Sequence, residues 1–481
     1  MRVIYNTFKL CMNTLGEKPQ ATCPRCRTKL DLVAARIECS VCHQTFPRLG
    51  GMVCLFADPT LQVQRFRVQQ AVFNLQGQES ESIYEGELRK PALLGETRLR
   101  METQLAAVRS NITEINALID PLLAEDATGV PESAPAPSPE EVEPLIAYFE
   151  LLLRDWGWSP AENDENERAL ALIDDVVAKA GDANATFGHV LVLGSGAGRL
   201  AYQLHVAHRP SSTTTLDIDL VLSAVAERMV RGQSLQFTEA PSDANQSARL
   251  SAERTLCAPH GAVTDFHVLL ADGLNPPFAD ESFDTVLTPW FIDQVPPDLR
   301  NLLGVIHRVL KPGGRWINYG PLIYRKRMQL SQHFTIEEIM ALAELAGFDV
   351  ARTVHGEGRY LCSPLKIRGR YEISFAFCAT KSSIKNARVT SDGQPSWLVL
   401  PHLPIPTFAG STLLSHPHLV FRRVLERLNG DNSIADIASV IGKQAELNPV
   451  DLYDSIRAIL IEVHPGAKSL RPTNLVLRPE T

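Results

Sequence analysis

Four cysteines, Cys23, Cys26, Cys39 and Cys42, form the knuckles CPRC and CSVC with twelve residues between them. Each knuckle can place two thiolates on one ion, and together they complete a four-sulfur tetrahedron with no open position. The spacing therefore predicts structural rather than catalytic zinc. A second set lies in LGSGAGRL, where Gly194, Gly196 and Gly198 directly follow the apolar run HVLVL. Glycine permits positive φ and close approach of a ligand to the main chain. Taken alone, such a turn suits NAD, flavin or S-adenosylmethionine. The next apolar run, TTTLDID, ends at Asp217, about 20 residues on, where a carboxylate can accept both ribose hydroxyls of an adenosine. Asp219 competes for that role. In Ala271-Asp272-Gly273 a further acid can meet an adenine amino group.

These residues need elements to hold them. From about residue 185 the chain alternates HVLVL, a helix, TTTLDID, FHVLLADG, SFDTVLTPWFID, the helix PDLRNLLGVIHRVLKPGG and RWINYG. That alternation predicts an α/β class: a doubly wound, mostly parallel Rossmann-like sheet with helices on both faces. HFTIEEIMALAELAGF reads as a further amphipathic helix and YEISFAFCAT as a late edge strand. Upstream, residues 60–125 read as helical from apolar residues at three- and four-residue spacing, and DATGVPESAPAPSPEEVEP as a linker or exposed loop. Helical pattern resumes in EPLIAYFELLLRDWGW and ENERALALIDDVVAKAG. Beyond residue 382, VFRRVLERLNG through LYDSIRAILIEV reads as three short helices, a small module of winged-helix type. The expected organisation is a zinc ribbon over 1–58, a helical segment and linker over 59–140, a cofactor-binding domain over 141–381 and the C-terminal helical module over 382–481.

Composition narrows the functions. The 481 residues are 44% hydrophobic and 21% charged, with a net charge of -8. Wholesale disorder and a collagen-like fibre are excluded. There is no basic excess to neutralise a phosphate backbone, so extended nucleic-acid binding is not expected. No apolar run reaches the roughly 18–20 residues of a membrane span, and the N-terminus makes a poor signal peptide. The expected compartment is the cytoplasm, and a homo-oligomer is compatible with these features. Cys11, Cys54, Cys257, Cys362 and Cys378 are scattered and read as buried packing residues. His43, beside Cys42, reads as a neighbour of the metal shell or a surface residue. His333, His355 and the pair His416 and His418 carry only weak signals.

Three resemblances sharpen the reading. CPRC…CSVC followed by QTFPRLGGMVCLF, about residues 21–57, resembles the short zinc ribbons that open some bacterial methyltransferases and the small subunit that partners tRNA methyltransferases. The glycine turn, Asp217, Asp272-Gly273 and the LKPGG turn in this order resemble class I S-adenosylmethionine-dependent methyltransferases, which implies S-adenosylmethionine as cofactor and places Arg199 just inside the binding turn. Four stretches between about residues 140 and 380 resemble the carnosine N-methyltransferase family: YFELLLRDWGW, LGSGAGRLAYQL, TPWFIDQV and WINYGPLIYR.

That last resemblance implies that Asp293, the acid of Phe-Ile-Asp, hydrogen-bonds the substrate imidazole. A carboxylate accepting N–H from one ring nitrogen leaves the other nitrogen's lone pair aimed at the methyl group and stabilises the developing imidazolium; capping the following helix is the alternative role. It also places Tyr360 and Tyr371 at substrate-contacting positions. Where the family has a histidine just after Gly-Pro-Leu-x-Tyr, this chain has Arg325, which can hold a carboxylate but accept no proton. The expected partner is a histidine-containing small molecule or peptide as methyl acceptor. A macromolecular acceptor, protein or RNA, is the competing reading, raised by the ribbon and by the basic stretches RKR and KIRGR. A non-catalytic scaffold is the third. The C-terminal module faintly resembles winged-helix domains that hold precursor peptides, with oligomerisation or capping as its plainer role.

Overall fold

The computed structural model describes residues 18–124, 149–181, 186–240, 251–294, 299–324, 328–366, 369–382, 395–405, 419–445, 448–464 and 467. They fall into two compact units. The first takes the chain up to Phe291 together with Val309–Pro321 and Ala351–Cys378; the second takes Ile292–Arg308, Leu322–Val350 and the chain from Ala379 onward.

The first unit opens with the cysteine knuckles and four very short strands, β1 (Ile37–Glu38), β2 (Thr45–Phe46), β3 (Arg48–Leu49) and β4 (Met52–Cys54). Two 30-residue helices follow, α1 (Pro59–Leu88) and α2 (Gly95–Ala124). Gln70 reaches Asn116 and Asp120, Asn116 reaches Asn74, and Arg109 pairs with Glu81 and Glu85, so the helices run antiparallel. A Cβ on Gly77 would lie 2.3 Å from the Ile112 side chain, so glycine lets α1 and α2 pack closely here without displacing that side chain.

The central sheet is built from β5 (His189–Leu193), β6 (Ser212–Asp217), β9 (Phe266–Leu270), β10 (Phe283–Pro289) and β11 (Leu310–Gly320), all parallel. Every residue of β5 is buried, as expected of a strand covered on both faces. The order β9-β6-β5-β10-β11 reverses at β5. After β5 the chain builds outward on one side and then returns to build the other. The carboxyl ends of β5 and β10 thus flank the switch point, where doubly wound sheets hold ligands. The predicted parallel α/β sheet is the one observed.

Two features depart from or extend the sequence reading. YEISFAFCAT, expected at the sheet edge, lies inside it. It belongs to β14 (Arg370–Lys381), which is followed in the sheet by β11, while β13 (Val354–Tyr360) pairs with it antiparallel on the outside. Its buried run, Phe375 to Ala379, reflects that interior position. On the far side, β4 pairs parallel with β9 through Val53 with Leu269 and Cys54 with Leu270, and β3 pairs with β4. The end of the cysteine segment is therefore part of the central sheet. β7 (Leu235–Glu239) and β8 (Ala252–Leu256) form a separate antiparallel pair.

In the second unit, α7 (Ile336–Leu345) starts with a capping box between Thr335 and Glu338, and β12 (Phe348–Val350) pairs with Ala379–Lys381 of β14. Three short helices, Leu419–Leu425, Ile434–Ala445 and Tyr453–Val463, match the expected helical texture of the C-terminal stretch. No described helix is long and apolar enough to cross a membrane.

Helix α2 is tied to β7 by Glu114, whose Oε1 accepts Gln236 N (3.0 Å), and by the Asn111 amide: Thr238 N donates to Asn111 Oδ1 (2.8 Å) and Asn111 Nδ2 donates to Thr238 O (2.9 Å). Truncation strands both backbone groups. Asn111→Ala is expected to lower unfolding free energy by about 2 kcal/mol in urea titration; an unchanged midpoint would show that the bridge contributes nothing.

Candidate functional site at the carboxyl end of the sheet

The glycine turn follows β5 without a break. Gly194, Gly196 and Gly198 have φ of 66°, 55° and 83°, all in the left-handed region that glycine enters without a Cβ penalty. A Cβ on Gly194 would lie 2.2 Å from Phe291, and one on Gly198 would lie 2.9 Å from Ala226; one on Gly196 would meet no protein atom within 4 Å. Gly194 and Gly198 are thus fixed by packing as well as by φ, whereas Gly196 presents its backbone outward. Gly194 N and Ser195 N both donate to Leu216 O, which ties the turn to the end of β6. Asp217 completes the tie: its Oδ2 accepts Gly196 N (2.7 Å) and its Oδ1 accepts Asp219 N (2.9 Å). Enclosure by protein, and then the nearby Asp219 carboxylate, push the Asp217 pKa up to about 7.

The two acids differ in what they hold. Asp219 is buried and is the N-cap of α5 (Leu220–Val230), accepting Leu222 N at 2.9 Å, and it also accepts Gln69 Nε2. Its oxygens serve the fold. Asp272, after β9, accepts Leu274 N at 2.8 Å, and burial raises its pKa. A Cβ on Gly273 would lie 2.8 Å from Phe291. One ring, Phe291, therefore packs on the glycines that end β5 and β9.

A π-helical turn, Leu153–Gly157, braces the glycine turn from the side. Trp156 Nε1 donates to Ala197 O at 2.8 Å, and the Trp156 ring meets Tyr202 edge-on. Arg199 is buried against this turn. It donates to Asp155 O (3.1 Å), its guanidinium lies 5.3 Å from the Trp156 ring, and it sits 3.5 Å from Glu167. Its contacts are with protein, and they position the first turn of α4 (Arg199–His208).

Trp290 and Phe291 leave β10 in different directions. Trp290 has φ of 47°, a conformation that costs a bulky residue about 1–3 kcal/mol and that concentrates at functional sites. Its ring packs on Tyr319 (4.8 Å between centroids) and Tyr360 (6.4 Å), with the Arg154 guanidinium 4.9 Å from its centre. These aromatics line a cavity of about 300 Å³ with Glu165, Glu372 and Ser374. Arg154 is buried behind it, paired with Asp155 (2.7 Å) and near Glu165 (3.9 Å). Sequence reading named Tyr360 alone of this group. The rest carry a signal only in hindsight: Trp290 stands beside the Phe-Ile-Asp element and Arg154 in the Arg-Asp-Trp element.

Tyr371 is not brought to that cavity. Along β14, Glu372 and Ser374 are buried, and the alternating Tyr371 and Ile373 are 61% and 65% exposed. Successive side chains of a strand point to opposite faces, so Tyr371 lies on the solvent face, against the contact expected of it. His355 is exposed on β13. Arg325, His416 and His418 lie outside the described residues.

Asp293 belongs to the second unit. It is 2% exposed, and its Oδ2 accepts Ile323 N at 2.7 Å. Tyr324, next along, donates to Phe334 O and stacks on His333 at 4.8 Å; burial, and then Asp293, raise its pKa to about 12.

The four cysteines converge. Their sulfurs all lie within 4.8 Å of one another, with Cys23–Cys42 at 3.6 Å and Cys26–Cys39 at 3.3 Å. A tetrahedron with Zn–S bonds of ~2.3 Å has edges of about 3.8 Å, so the donor set fits zinc. His43 lies beside Glu38, 3.5 Å away, outside that set.

A carnosine N-methyltransferase from Dictyostelium discoideum is 47% identical over 45 residues, 9% of this chain and 10% of the relative. The Drosophila melanogaster carnosine N-methyltransferase unmet is 23% identical over 319 residues, 57% of this chain and 69% of the relative. The match to the first relative thus spans about a tenth of its length. Among solved structures, Haemonchus contortus phosphoethanolamine N-methyltransferase 2 in complex with S-adenosyl-L-methionine is similar at 19% identity and a TM-score of 0.31, over 50% of this chain and 57% of that one. The sequence profile of carnosine N-methyltransferases matches residues 131–381, more than half of the chain. The chain belongs to the carnosine N-methyltransferase family.

Proposed function

We propose that this protein transfers a methyl group from S-adenosylmethionine to an imidazole nitrogen of a histidine-containing, carnosine-like small molecule or peptide. The observation that carries the reading is the left-handed glycine turn locked to Asp217 at the switch point of the sheet. Gly196 presents bare backbone there, as a closely approaching ligand requires. Asp217 holds the ribose hydroxyls and Asp272 meets the adenine amino group. Gly194, Gly198 and Gly273 leave room for the Phe291 ring and for the main chain to turn. S-adenosylmethionine, when bound, supplies the electrophilic methyl.

The remaining work falls to protein groups. Asp293 accepts the N–H of one imidazole nitrogen, fixes the tautomer and leaves the other nitrogen as the nucleophile. As that nitrogen gains its methyl, the ring becomes cationic, and the fixed carboxylate stabilises the charge. The Cys23, Cys26, Cys39 and Cys42 set holds zinc in a closed structural shell.

Three outcomes follow. Asp293→Asn keeps the shape but loses the anionic acceptor; turnover should fall by at least about a hundredfold while S-adenosylhomocysteine affinity stays within twofold, and equal turnover would remove Asp293 from the mechanism. Asp217 must be ionised to accept ribose hydroxyls, and in the free protein its pKa is about 7. Binding then releases a proton, so affinity is full above pH 7 and weakens up to about tenfold per unit below it. The sign for folding is opposite: a carboxyl with raised folded-state pKa loses stabilising influence as pH climbs from about 4 to about 7. Calorimetry at pH 6 and pH 8 checks this, and a flat profile would contradict it. Metal analysis should find about one zinc per chain, absent from Cys23→Ser; a metal-free wild type would reject the zinc assignment.

A further inference from the structure

Strand β4 lies beyond β9 and runs parallel to it, so its carboxyl end opens where β5, β6 and β9 end. The ladder continues one residue past β4, as Leu55 N donates to Leu270 O at 2.7 Å. The chain then turns at Asp58, which accepts Leu61 N and starts α1. Leu55, Phe56, Leu61 and Arg65 form one side of a cavity of about 160 Å³, and Asp272 and Asn275 form the other. This is the end of the crevice at which an adenine would sit if Asp272 meets its amino group. Leu55 and Phe56 are buried and give that end an apolar wall, as the face of a purine requires.

The loop after Asp272 is held by the cysteine segment. Thr22 N donates to Pro277 O (2.8 Å), Ala279 N donates to Gln20 O (3.0 Å), Arg27 Nη1 donates to Pro276 O (2.9 Å), and Asn275 Nδ2 donates to Pro24 O (3.1 Å). These partners bracket Cys23 and Cys26. Asn275, a wall of the cavity, is also bonded by Arg27 Nη2. The conformation of the first knuckle therefore sets the conformation of the loop that carries the adenine-side groups. All of these ribbon and α1 residues lie outside the 131–381 stretch shared with the family.

We infer that the cysteine module completes the adenine end of the cofactor crevice, with Leu55, Phe56 and Leu61 as its outer wall, and that cofactor affinity depends on the metal held by Cys23, Cys26, Cys39 and Cys42. The inference rests on the S-adenosylmethionine reading above. In α/β folds with a closed structural metal remote from the ligand, metal loss acts only on stability; here it acts on binding as well.

The test is calorimetric titration of S-adenosylhomocysteine into the full chain, zinc-loaded, chelator-treated and zinc-restored, with circular dichroism to confirm that the sheet remains folded. Zinc removal should weaken binding by about tenfold or more, with recovery on restoring zinc. Leu61→Ala leaves the knuckles untouched and trims the outer wall; it should bind about threefold more weakly with zinc content unchanged, and it decides the matter if the stripped protein unfolds. Unchanged affinity in Leu61→Ala, or in a folded zinc-free chain, would overturn the inference. Absence of binding to the zinc-loaded wild type would instead overturn the cofactor reading and the inference together, whereas a wild type that binds with both altered forms unaffected sinks the inference alone.

Discussion

The candidate site depends on one short constraint: a carboxylate at the end of β6 accepting backbone N–H groups from the turn after β5. Asp217 bonds Gly196 N and Asp219 N at once, so two neighbouring strand ends are fixed relative to each other. Three left-handed glycines make the turn compact enough to be reached. Partial burial of an acid whose oxygens already accept two N–H groups is costly, and its pKa near 7 records that cost. A ligand that donates hydroxyl protons to the same oxygens offsets it.

Around this tie the chain stacks supports from distant segments. Trp156 of the π-helical segment bonds Ala197 O in the turn, Arg199 at the start of α4 bonds Asp155 O of that segment, Phe291 fills the space that two missing Cβ atoms leave, and Gln69 of α1 reaches Asp219. The two acids divide the local work: Asp219 caps α5, and Asp217 ties the turn after β5 to the end of β6. The strained φ of Trp290 has a comparable effect, since it sends one aromatic toward the glycines and its neighbour toward the cavity at Tyr319 and Tyr360. Strain of this kind persists only where the surrounding packing over-determines it.

Much of this was legible in the sequence because the signals are local. Alternating strand and helix patterns, the glycine turn, the acid ending TTTLDID and the paired cysteine knuckles all act within a few residues of themselves. What was not legible depends on partners far along the chain. YEISFAFCAT reads the same at an edge or inside; only the pairing of Val354–Tyr360 with it reveals its place. Tyr360 and Tyr371 look alike in sequence, and strand parity separates them, sending the second to solvent. The junction of Val53 and Cys54 with Leu269 and Leu270 joins segments more than 200 residues apart, and no composition or spacing announces it.

The central claim is methyl transfer to a ring nitrogen, and the most direct measurement is the position of the label in product formed from methyl-labelled S-adenosylmethionine, read by NMR across histidine, carnosine, related thiol-histidines and a cell extract. The account predicts a new N-methyl signal on the imidazole of a histidine-containing small molecule or peptide. Label confined to RNA or to non-histidine side chains of large proteins, or no label in any acceptor, would contradict it.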